Sequence, residues 1–173
     1  SEAIVFQKHK RFIKLLSLLN FKKKIILKSN FHIPKLGYKN FRNLKIHGGG
    51  CFQDMSPYAS YLISIFLKNK KYIIKKETNK SDFDNFTIKI SNKKILMICS
   101  FKFNSNYKNE IKIMNSSKIF YINYAFSPPI DKKVILDIFD DFKKKEYKLS
   151  FKKENTFDNY FIEVFKIIKK KKY

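Results

Sequence analysis

The sequence has 173 residues, a length that suits one folded domain. Apolar residues make up 44% and aromatic residues 17%, and this composition excludes a disordered chain. No apolar stretch reaches the roughly 18 residues that suggest a membrane-spanning helix, and the N-terminus lacks the segments of a secretory signal. The chain starts at Ser1 rather than at Met, so we expect it to be a piece of a longer protein or a processed product.

The net charge of +24 suggests nucleic acid or acidic lipid as a partner, but the residue types argue against both. Arg11 and Arg42 are the only arginines among 38 basic residues, although arginine is the favoured residue for bidentate contacts to phosphate and guanine. The lysines are spread along the whole chain, which is typical of solvated faces. We therefore expect no nucleic acid and no membrane as partners.

The cysteines and histidines show no spacing typical of a metal site. Cys51 and Cys99 indicate buried free thiols in a reducing compartment, which favours a cytoplasmic location. His9, His32 and His47 are far apart in the sequence. We expect no metal site.

The first third of the chain predicts four elements. Residues 2–6 form a short apolar run that predicts a buried strand, and residues 9–19 have the apolar spacing of a helix that Asn20 ends. Residues 25–33 alternate as a strand, and residues 34–47 form a loop with Pro34 and Gly37 as breakers. A helix over residues 51–67 follows three adjacent glycines.

From residue 71 the apolar period changes to two, which predicts seven strands, with Asn92 and Lys93 as a hairpin link. A last helix over residues 155–169 has Asn155 as its N-cap. This order predicts an α+β domain with a large, mostly antiparallel open sheet and helices on one face. The other face needs a cover, and a second subunit is the simplest one. The seven strands cover residues 71–77, 85–91, 94–103, 110–114, 118–124, 134–139 and 147–151, and the apolar stripe of the last helix is Phe157, Phe161, Val164, Phe165 and Ile168.

The three glycines, Gly48, Gly49 and Gly50, stand in a chain that has only four. Glycine permits a positive φ and lets another group approach the backbone closely. Placed before a helix, the triplet would leave free N–H groups and a positive dipole end facing outwards. A tight turn before a packed helix is the alternative.

Asp54 and Tyr58 are four residues apart and would lie on one face of a helix that already includes Asp54. Pro57 leaves a second possibility, with Ser56 as N-cap and Pro57 as the first helical residue. A carboxylate beside a phenol can orient a polyol hydroxyl and move its proton. The alternative is an aspartate that stabilises the helix dipole and a tyrosine in the core.

The segment from Phe41 to Tyr58 resembles the signature of the glucose–fructose oxidoreductase, inositol dehydrogenase and rhizopine-catabolism (Gfo/Idh/MocA) family: a run of glycines, an Asp, and four residues later a His or Tyr. Residues 2–6 with the following helix resemble the first strand and helix of the family's second domain. Residues 121–129 resemble the edge where its sheet turns back toward the substrate, and residues 155–165 resemble its late helix. The resemblance implies a dihydrodipicolinate/glyceraldehyde-phosphate dehydrogenase-like C-terminal domain.

The resemblance also implies hydride transfer between a nicotinamide and a carbon of a sugar or nucleotide sugar. Tyr58 would be the acid/base and Asp54 would hold the neighbouring hydroxyl. NAD or NADP is expected for the full-length enzyme and not for this chain alone, because the family's Rossmann domain and its Glu-Lys-Pro motif are absent from the sequence. The substrate-binding candidates from this segment are Arg42, Asn43, His47, Gly49 and Gly50.

Two other functions stay open. One is a non-catalytic module of the same fold that binds a sugar or dimerises. The other is a sheet that binds nucleic acid through lysines and aromatic residues, which requires charge clustered on the strand face.

Overall fold

An eight-stranded sheet forms the centre of the fold. The structure is a computed structural model, and it describes residues 4–68, 71–78 and 81–170. The strands lie in the order β2-β3-β4-β1-β5-β6-β7-β8, and each adjacent pair is antiparallel except the parallel pair of β1 and β4. The predicted α+β class with a large, mostly antiparallel sheet is confirmed. The strands are β1 (Ile25–His32), β2 (Ile73–Glu77), β3 (Asn85–Ser91), β4 (Ile95–Lys102), β5 (Lys108–Asn115), β6 (Lys118–Asn123), β7 (Val134–Asp140) and β8 (Lys145–Phe151).

Three α-helices accompany the sheet in the described residues: α1 (Lys10–Leu18), α2 (Cys51–Leu67) and α3 (Thr156–Lys170). The bounds of each helix agree with the predicted bounds to within one or two residues. At the start of α1 and of α3, a side chain next to the first helical residue caps the helix, and such a cap is visible in the sequence. The Nδ1 atom of His9 accepts a hydrogen bond from the Arg11 N–H at 3.0 Å, and Asn155 Oδ1 accepts one from the Phe157 N–H at 3.0 Å. Short 3-10 helices cover Val5–Lys8, Phe41–Asn43 and Lys45–His47.

The core lies between the sheet and the helices α1 and α2. On β1, Ile25, Leu27 and Phe31 are buried on the side of the helices, while Lys28 is exposed on the opposite side. The alternation predicted for this strand is therefore confirmed. The opposite side of the sheet, called the open face below, has no helix of the described residues against it.

Both cysteines lie in this core. Burial raises the pKa of the Cys51 thiol to about 12 and that of Cys99 to about 11, so both thiols stay protonated at neutral pH. The prediction of buried free thiols is confirmed. The cytoplasmic location remains a prediction.

The strand predicted over residues 2–6 is wrong where the structure describes it, since Val5–Lys8 is a 3-10 helix and residues 1–3 lie outside the described part. A short apolar run does not distinguish a strand from another buried segment. Phe6 is fully buried because its ring packs against the rings of Phe12, Tyr61 and Phe126.

The predicted last helix is present, but the described residues leave its apolar stripe largely exposed. Phe157 is 50% exposed, Phe161 51% and Phe165 61%. The helix α3 contacts the 3-10 helix near the start of the chain, where Asn159 Nδ2 donates to the Lys8 carbonyl at 3.2 Å and Lys8 pairs with Glu163. An amphipathic period shows that a helix has an apolar side but not which surface covers that side.

No helix in the described ranges has both the length and the apolar character that crossing a bilayer requires.

We expect His32 to make the fold sensitive to acid. Burial, together with the charges of Lys102 and Lys108, lowers the pKa of His32 to about 4, and its side chain is hydrogen-bonded to Ser100 Oγ at 3.0 Å. The folded protein therefore binds this proton less readily than the unfolded chain, whose histidine pKa is about 6.5. The stabilisation is fully present above pH 6.5 and is lost as the pH falls towards 4, by roughly 3 kcal/mol.

The measurement is urea unfolding of the parent and of His32→Gln between pH 7 and pH 4. The amide of glutamine can still reach Ser100 but does not titrate. We expect the parent to lose more stability than the variant over this range. Parallel pH profiles of the two proteins would contradict the prediction.

Candidate functional site

The three glycines close a tight turn between the Phe41–Asn43 and Lys45–His47 3-10 helices and α2. Gly48 has φ of 72° and ends the second 3-10 helix, and Gly50 has φ of 118° at the N-cap of α2. A Cβ atom on Gly49 would lie 2.6 Å from the carbonyl oxygens of Phe41 and Arg42. Positive φ and close backbone approach therefore explain the triplet.

The N–H groups of all three glycines are used inside the turn. They donate to the carbonyls of Lys45, Leu44 and Arg42 at 3.1, 3.0 and 2.9 Å respectively. Any contact of Gly49 or Gly50 with a ligand would therefore go through other atoms than the backbone N–H.

The first N–H groups of α2 are also occupied. The N–H of Cys51 donates to the Phe83 carbonyl at 2.6 Å, and the N–H of Phe52 donates to the Asp82 carbonyl at 3.1 Å. The prediction of free N–H groups facing outwards is therefore wrong for these two residues. The segment before β3 closes the helix terminus, a pairing across 30 residues that has no local sequence signal.

The early start of α2 decides between the two positions considered for Pro57. The helix begins at Cys51, so the alternative with Ser56 as N-cap is wrong and Pro57 lies inside the helix. Proline there removes one backbone hydrogen bond. The bonds from the segment before β3 to the first helical turn offset that loss, and Asp54 lies within the first turn.

Arg42 and Asp54 form the polar centre of the site. The Nε atom of Arg42 donates to Oδ1 of Asp54 at 2.8 Å, with the two side chains 36% and 26% exposed. The guanidinium also stacks over the Phe41 ring at 4.8 Å, and the Arg42 N–H donates to Asn40 Oδ1 at 3.0 Å. The guanidinium is therefore held by Asp54 and by the Phe41 ring, and it orients the carboxylate.

Tyr58 follows Asp54 by one helical turn, so both side chains leave the same side of α2. The Tyr58 ring is half-buried and packs against Phe31 at 5.2 Å, Phe126 at 5.5 Å and Phe6 at 6.2 Å between ring centres. This packing fixes the direction of the phenol. It also gives Tyr58 the core role that the sequence left as an alternative.

The remaining two candidates turn elsewhere. The Nδ2 atom of Asn43 donates to the Gly37 carbonyl at 2.9 Å within the preceding loop. His47 is exposed at the end of its 3-10 helix. Of the seven predicted site residues, the structure thus joins Arg42 and Asp54 directly, sets the glycines beneath them and places Tyr58 one turn away.

The loop that carries Arg42 is basic, whereas Asp54 lies in the first turn of α2 and Asp82 belongs to the segment that caps this helix. Lys35, Lys39 and Lys45 are exposed on the loop that carries Arg42. The charge of Asp54 is the second cause, after burial, that raises the pKa of Cys51. Within the described ranges, no three or more His, Cys, Asp or Glu side chains are grouped so that they could hold a metal ion.

Sequence comparisons give no relative: no family model matches the chain, and no curated protein matches it significantly. Comparison with solved structures is informative. A 3-ketoreductase from Actinomadura kijaniata, solved with NADP and TDP-benzene, superposes with a TM-score of 0.78 at 16% identity over 94% of this chain. This chain therefore shares its fold with about half of that enzyme, since the match covers 51% of the ketoreductase.

Two other oxidoreductases share the fold. The aldose-aldose oxidoreductase from Caulobacter crescentus, solved with glycerol, has a TM-score of 0.63 at 12% identity over 84% of this chain and 45% of its own. The UDP-N-acetylglucosamine 3-dehydrogenase from Acidithiobacillus ferrooxidans has a TM-score of 0.59 at 10% identity over 89% of this chain and 47% of its own. The chain also covers 51% of the ketoreductase and so spans about half of these enzymes.

Proposed function

We propose that this chain is the substrate-binding half of an NAD(P)-dependent oxidoreductase acting on a sugar or nucleotide sugar. The observation that carries the proposal is the placement of Asp54 and Tyr58 on one side of one helix, above the glycine turn and beside Arg42. The fold shared with three oxidoreductases of sugars or ketosugars supports it.

The residues of this chain do not fit a dinucleotide. The sequence has no Gly-x-Gly-x-x-Gly after a strand, and the first N–H groups of α2, which could have received a pyrophosphate, already donate to Phe83 and Asp82. We therefore propose that NAD or NADP is held by a separate nucleotide-binding half, where the reduced nicotinamide would supply the hydride.

The residues of this chain would position the sugar and move its proton. Asp54, held by Arg42 through Oδ1, would accept a hydrogen bond from a sugar hydroxyl. Tyr58 would donate its phenolic proton to the neighbouring carbonyl oxygen as that oxygen gains charge in the reductive direction.

The basic loop favours an acidic substrate over a neutral sugar. Lys35, Lys39 and Lys45 are exposed on the loop that carries Arg42, and the chain carries a net charge of +24. A diphosphate-linked sugar would be attracted to such a surface. The ketoreductase of the same fold was solved with TDP-benzene, which carries a nucleoside diphosphate.

The test is Tyr58→Phe in the protein expressed with whatever coding sequence precedes Ser1. With a nucleotide-linked ketosugar and NADPH, we expect kcat to fall by roughly 100-fold or more with little change in KM, because only the proton donor is lost. Absorbance of NADPH reports the rate.

Tyr61→Phe is the matched control, since Tyr61 lies on the same helix and its ring also contacts Phe6. We expect the control to keep the parent kcat. Equal turnover of Tyr58→Phe and the parent would remove Tyr58 from the chemistry.

A non-catalytic module of the same fold is the second candidate. It is favoured by the observation that the polar groups of the site already bind one another: Asp54 binds Arg42, and the glycine N–H groups bind carbonyls of the turn. Such a protein would bind a nucleotide sugar in calorimetry, lose that binding in Asp54→Asn, and show no turnover of NADPH.

A further inference from the structure

Several turns of the chain lie together at one end of the sheet. Ile25 at the start of β1 pairs with Ile95 at the start of β4 and with Asn115 at the end of β5, so these three strand termini lie at the same end. The register of the other strands adds the ends of β3 and β7 and the starts of β2, β6 and β8. This end is distinct from the open face, because it lies where the strands begin and end. Its described residues, called the basic end below, are 20–24, 68, 71–72, 92–94, 116–118 and 141–145.

The basic end contains eleven exposed lysines, although the lysines are spread along the sequence. Within the described part of this end, Asp141 is the one acidic side chain, and it pairs with Lys144 at 2.7 Å. The other ten lysines form no ion pair with any described residue. This surface therefore carries a concentrated positive charge that the described residues do not neutralise. The eleven are Lys22, Lys23, Lys24, Lys68, Lys71, Lys93, Lys94, Lys118, Lys143, Lys144 and Lys145.

The opposite end of the same strands is more evenly charged. Its segments 82–84, 103–107, 124–133 and 152–155 together carry four lysines and four acidic side chains. The loop that carries Arg42 adds lysines to that end, where Asp54 also lies. The fold therefore concentrates unpaired lysines at one end of the sheet, a placement that composition alone does not explain.

Exposed phenylalanines adjoin the lysines of the basic end. Residues 21–24 and 142–145 both have the sequence Phe-Lys-Lys-Lys. Phe142 is 86% exposed and Phe21 is 38% exposed. The turn of Phe142 is tied to its neighbour, since the next residue before it, Asp141, donates its N–H to the Ser117 carbonyl at 2.7 Å. The fold thus holds a large apolar ring in the solvent beside three cations.

An apolar cleft adjoins Phe21. It has a volume of about 450 Å³ and is lined by Leu16, Phe21, Ile65, Phe66 and Lys68. The rings of Phe21 and Phe66 lie 5.9 Å apart between centres and form part of one wall. Apolar walls beside exposed ammonium groups suit an amphiphile, which has an anionic head and a hydrocarbon chain.

These features favour a membrane surface over a nucleic acid as the partner. Neither arginine of the chain lies at the basic end, and lysine, a point charge, is sufficient for attraction to acidic headgroups. Single-stranded nucleic acids stack successive bases on aromatic rings. The turns of Phe21 and Phe142 are three to four strand spacings apart, roughly 17 Å, which is too far for adjacent bases. A polyanion would also leave the apolar cleft uncovered.

We propose that the basic end binds the surface of an anionic phospholipid membrane, with the rings of Phe21 and Phe142 inserted among the headgroups. The lysines around them attract lipid phosphates, a contribution that salt screens. Burial of the two rings adds a contribution that salt does not screen. This proposal replaces the expectation of no membrane partner, which was based on the spread of lysines along the sequence.

A protein bound in this way keeps its candidate site away from the bilayer. The helix α2 begins at the opposite end of the sheet, where the Cys51 N–H donates to the Phe83 carbonyl just before β3. Arg42 and Asp54 lie at that end as well. The proposal does not depend on the catalytic role proposed for Tyr58.

The first test is cosedimentation with lipid vesicles of the protein expressed with whatever coding sequence precedes Ser1. The vesicles are phosphatidylcholine alone or phosphatidylcholine with about 30% phosphatidylglycerol, at an ionic strength of about 0.15 M. We expect a partition coefficient at least tenfold higher for the anionic vesicles, and a decrease as salt is added.

Two triple variants separate the position of the charge from its amount. Both change the net charge equally, and both affect β7 and β8, but at opposite ends of these strands. We expect the basic-end triple to lower the partition coefficient at least tenfold and the opposite-end triple less than threefold. The basic-end triple is Lys143→Glu, Lys144→Glu and Lys145→Glu, and the opposite-end triple is Lys132→Glu, Lys133→Glu and Lys152→Glu.

A tryptophan reporter tests insertion of the ring directly. The sequence has no tryptophan, so Phe142→Trp gives a fluorescence signal from one position. With anionic vesicles we expect its emission to shift to shorter wavelength and to be quenched by brominated lipid. Ile130→Trp is the control, because Ile130 is 59% exposed at the opposite end, and it should show neither change.

A parent that does not bind anionic vesicles overturns the proposal, as does an equal loss of binding in the two triples or an unchanged emission of Phe142→Trp. If circular dichroism shows that the basic-end triple does not fold, the variant Lys22→Glu, Lys23→Glu and Lys24→Glu replaces it, with the same expected loss. A parent that binds a single-stranded oligonucleotide but no vesicles, with binding lost in the basic-end triple, would overturn the proposal and assign the basic end to nucleic acid.

Discussion

Replacing Arg11 with methionine is expected to lower the free energy of unfolding by about 3 kcal/mol. Arg11 is 1% exposed, and its guanidinium donates to the carbonyls of Tyr124 and Ile135 at 3.0 and 3.1 Å and to Asn123 Oδ1 at 3.4 Å. Burial lowers its pKa to about 10, with the charge of Asp137 opposing the shift, so the side chain stays charged at neutral pH. Methionine would fill the space but leave these oxygens without a donor.

Urea unfolding followed by circular dichroism measures this effect. Lys14→Met on the same helix is the control, because that lysine is exposed and its substitution should change stability by less than about 0.5 kcal/mol. Arg11→Lys should be intermediate, since lysine keeps the charge but cannot reach the three oxygens in the planar arrangement of arginine. A loss below 1 kcal/mol for Arg11→Met would show that the buried hydrogen bonds contribute little.

Gly49→Ala is expected to destabilise the fold by about 3 kcal/mol, the upper end of the cost of overpacking. The new methyl group would lie 2.6 Å from two backbone carbonyl oxygens. Neither oxygen is free to move, because the Phe41 carbonyl accepts from the Leu44 N–H and the Arg42 carbonyl from the Gly50 N–H, each at 2.9 Å. Relief of the clash would displace Arg42 and break its ion pair with Asp54.

Two other glycines provide a graded comparison. An alanine at Gly48 meets no atom within 4 Å but must adopt a φ of 72°, which costs about 1 kcal/mol. An alanine at Gly37 meets no atom within 4 Å and needs no positive φ, so it should be neutral. In thermal unfolding, we expect Gly49→Ala to lower the melting temperature most, Gly48→Ala less and Gly37→Ala not at all. A Gly49→Ala variant as stable as Gly37→Ala would contradict the explanation given for the triplet.

Local patterns in the sequence predict most of the elements, because strand alternation and helix caps involve neighbouring residues. The alternation over β3 and the cap at Asn155 are examples, and both agree with the structure. Long-range contacts are not predictable in this way. The carbonyl of Phe83 caps α2 from a segment that follows it by about 30 residues. The exposure of the apolar stripe of α3 likewise depends on segments far away in the chain.

The two arginines show that a residue type that is rare in a sequence can indicate a position with a specific role. The other 36 residues of the Lys and Arg total are lysines. Arg11 and Arg42 both occupy positions that need a rigid planar donor, since the buried Arg11 binds three oxygens and Arg42 fixes Asp54. Their rarity marks them as candidates for specific contacts. Only coordinates separate the structural arginine from the one in the candidate site.

The position of β1 has a consequence for how the chain reaches this fold. It is the first strand in the sequence, yet its two neighbours are β4 and β5, which begin at Ile95 and Lys108. During synthesis both edges of β1 therefore remain unpaired until about 60 further residues have been made. In that interval β1 can pair with strands of other chains. Sheets assembled from such distant segments fold slowly, because a long loop must close before β1 can form its hydrogen bonds with β4 or β5.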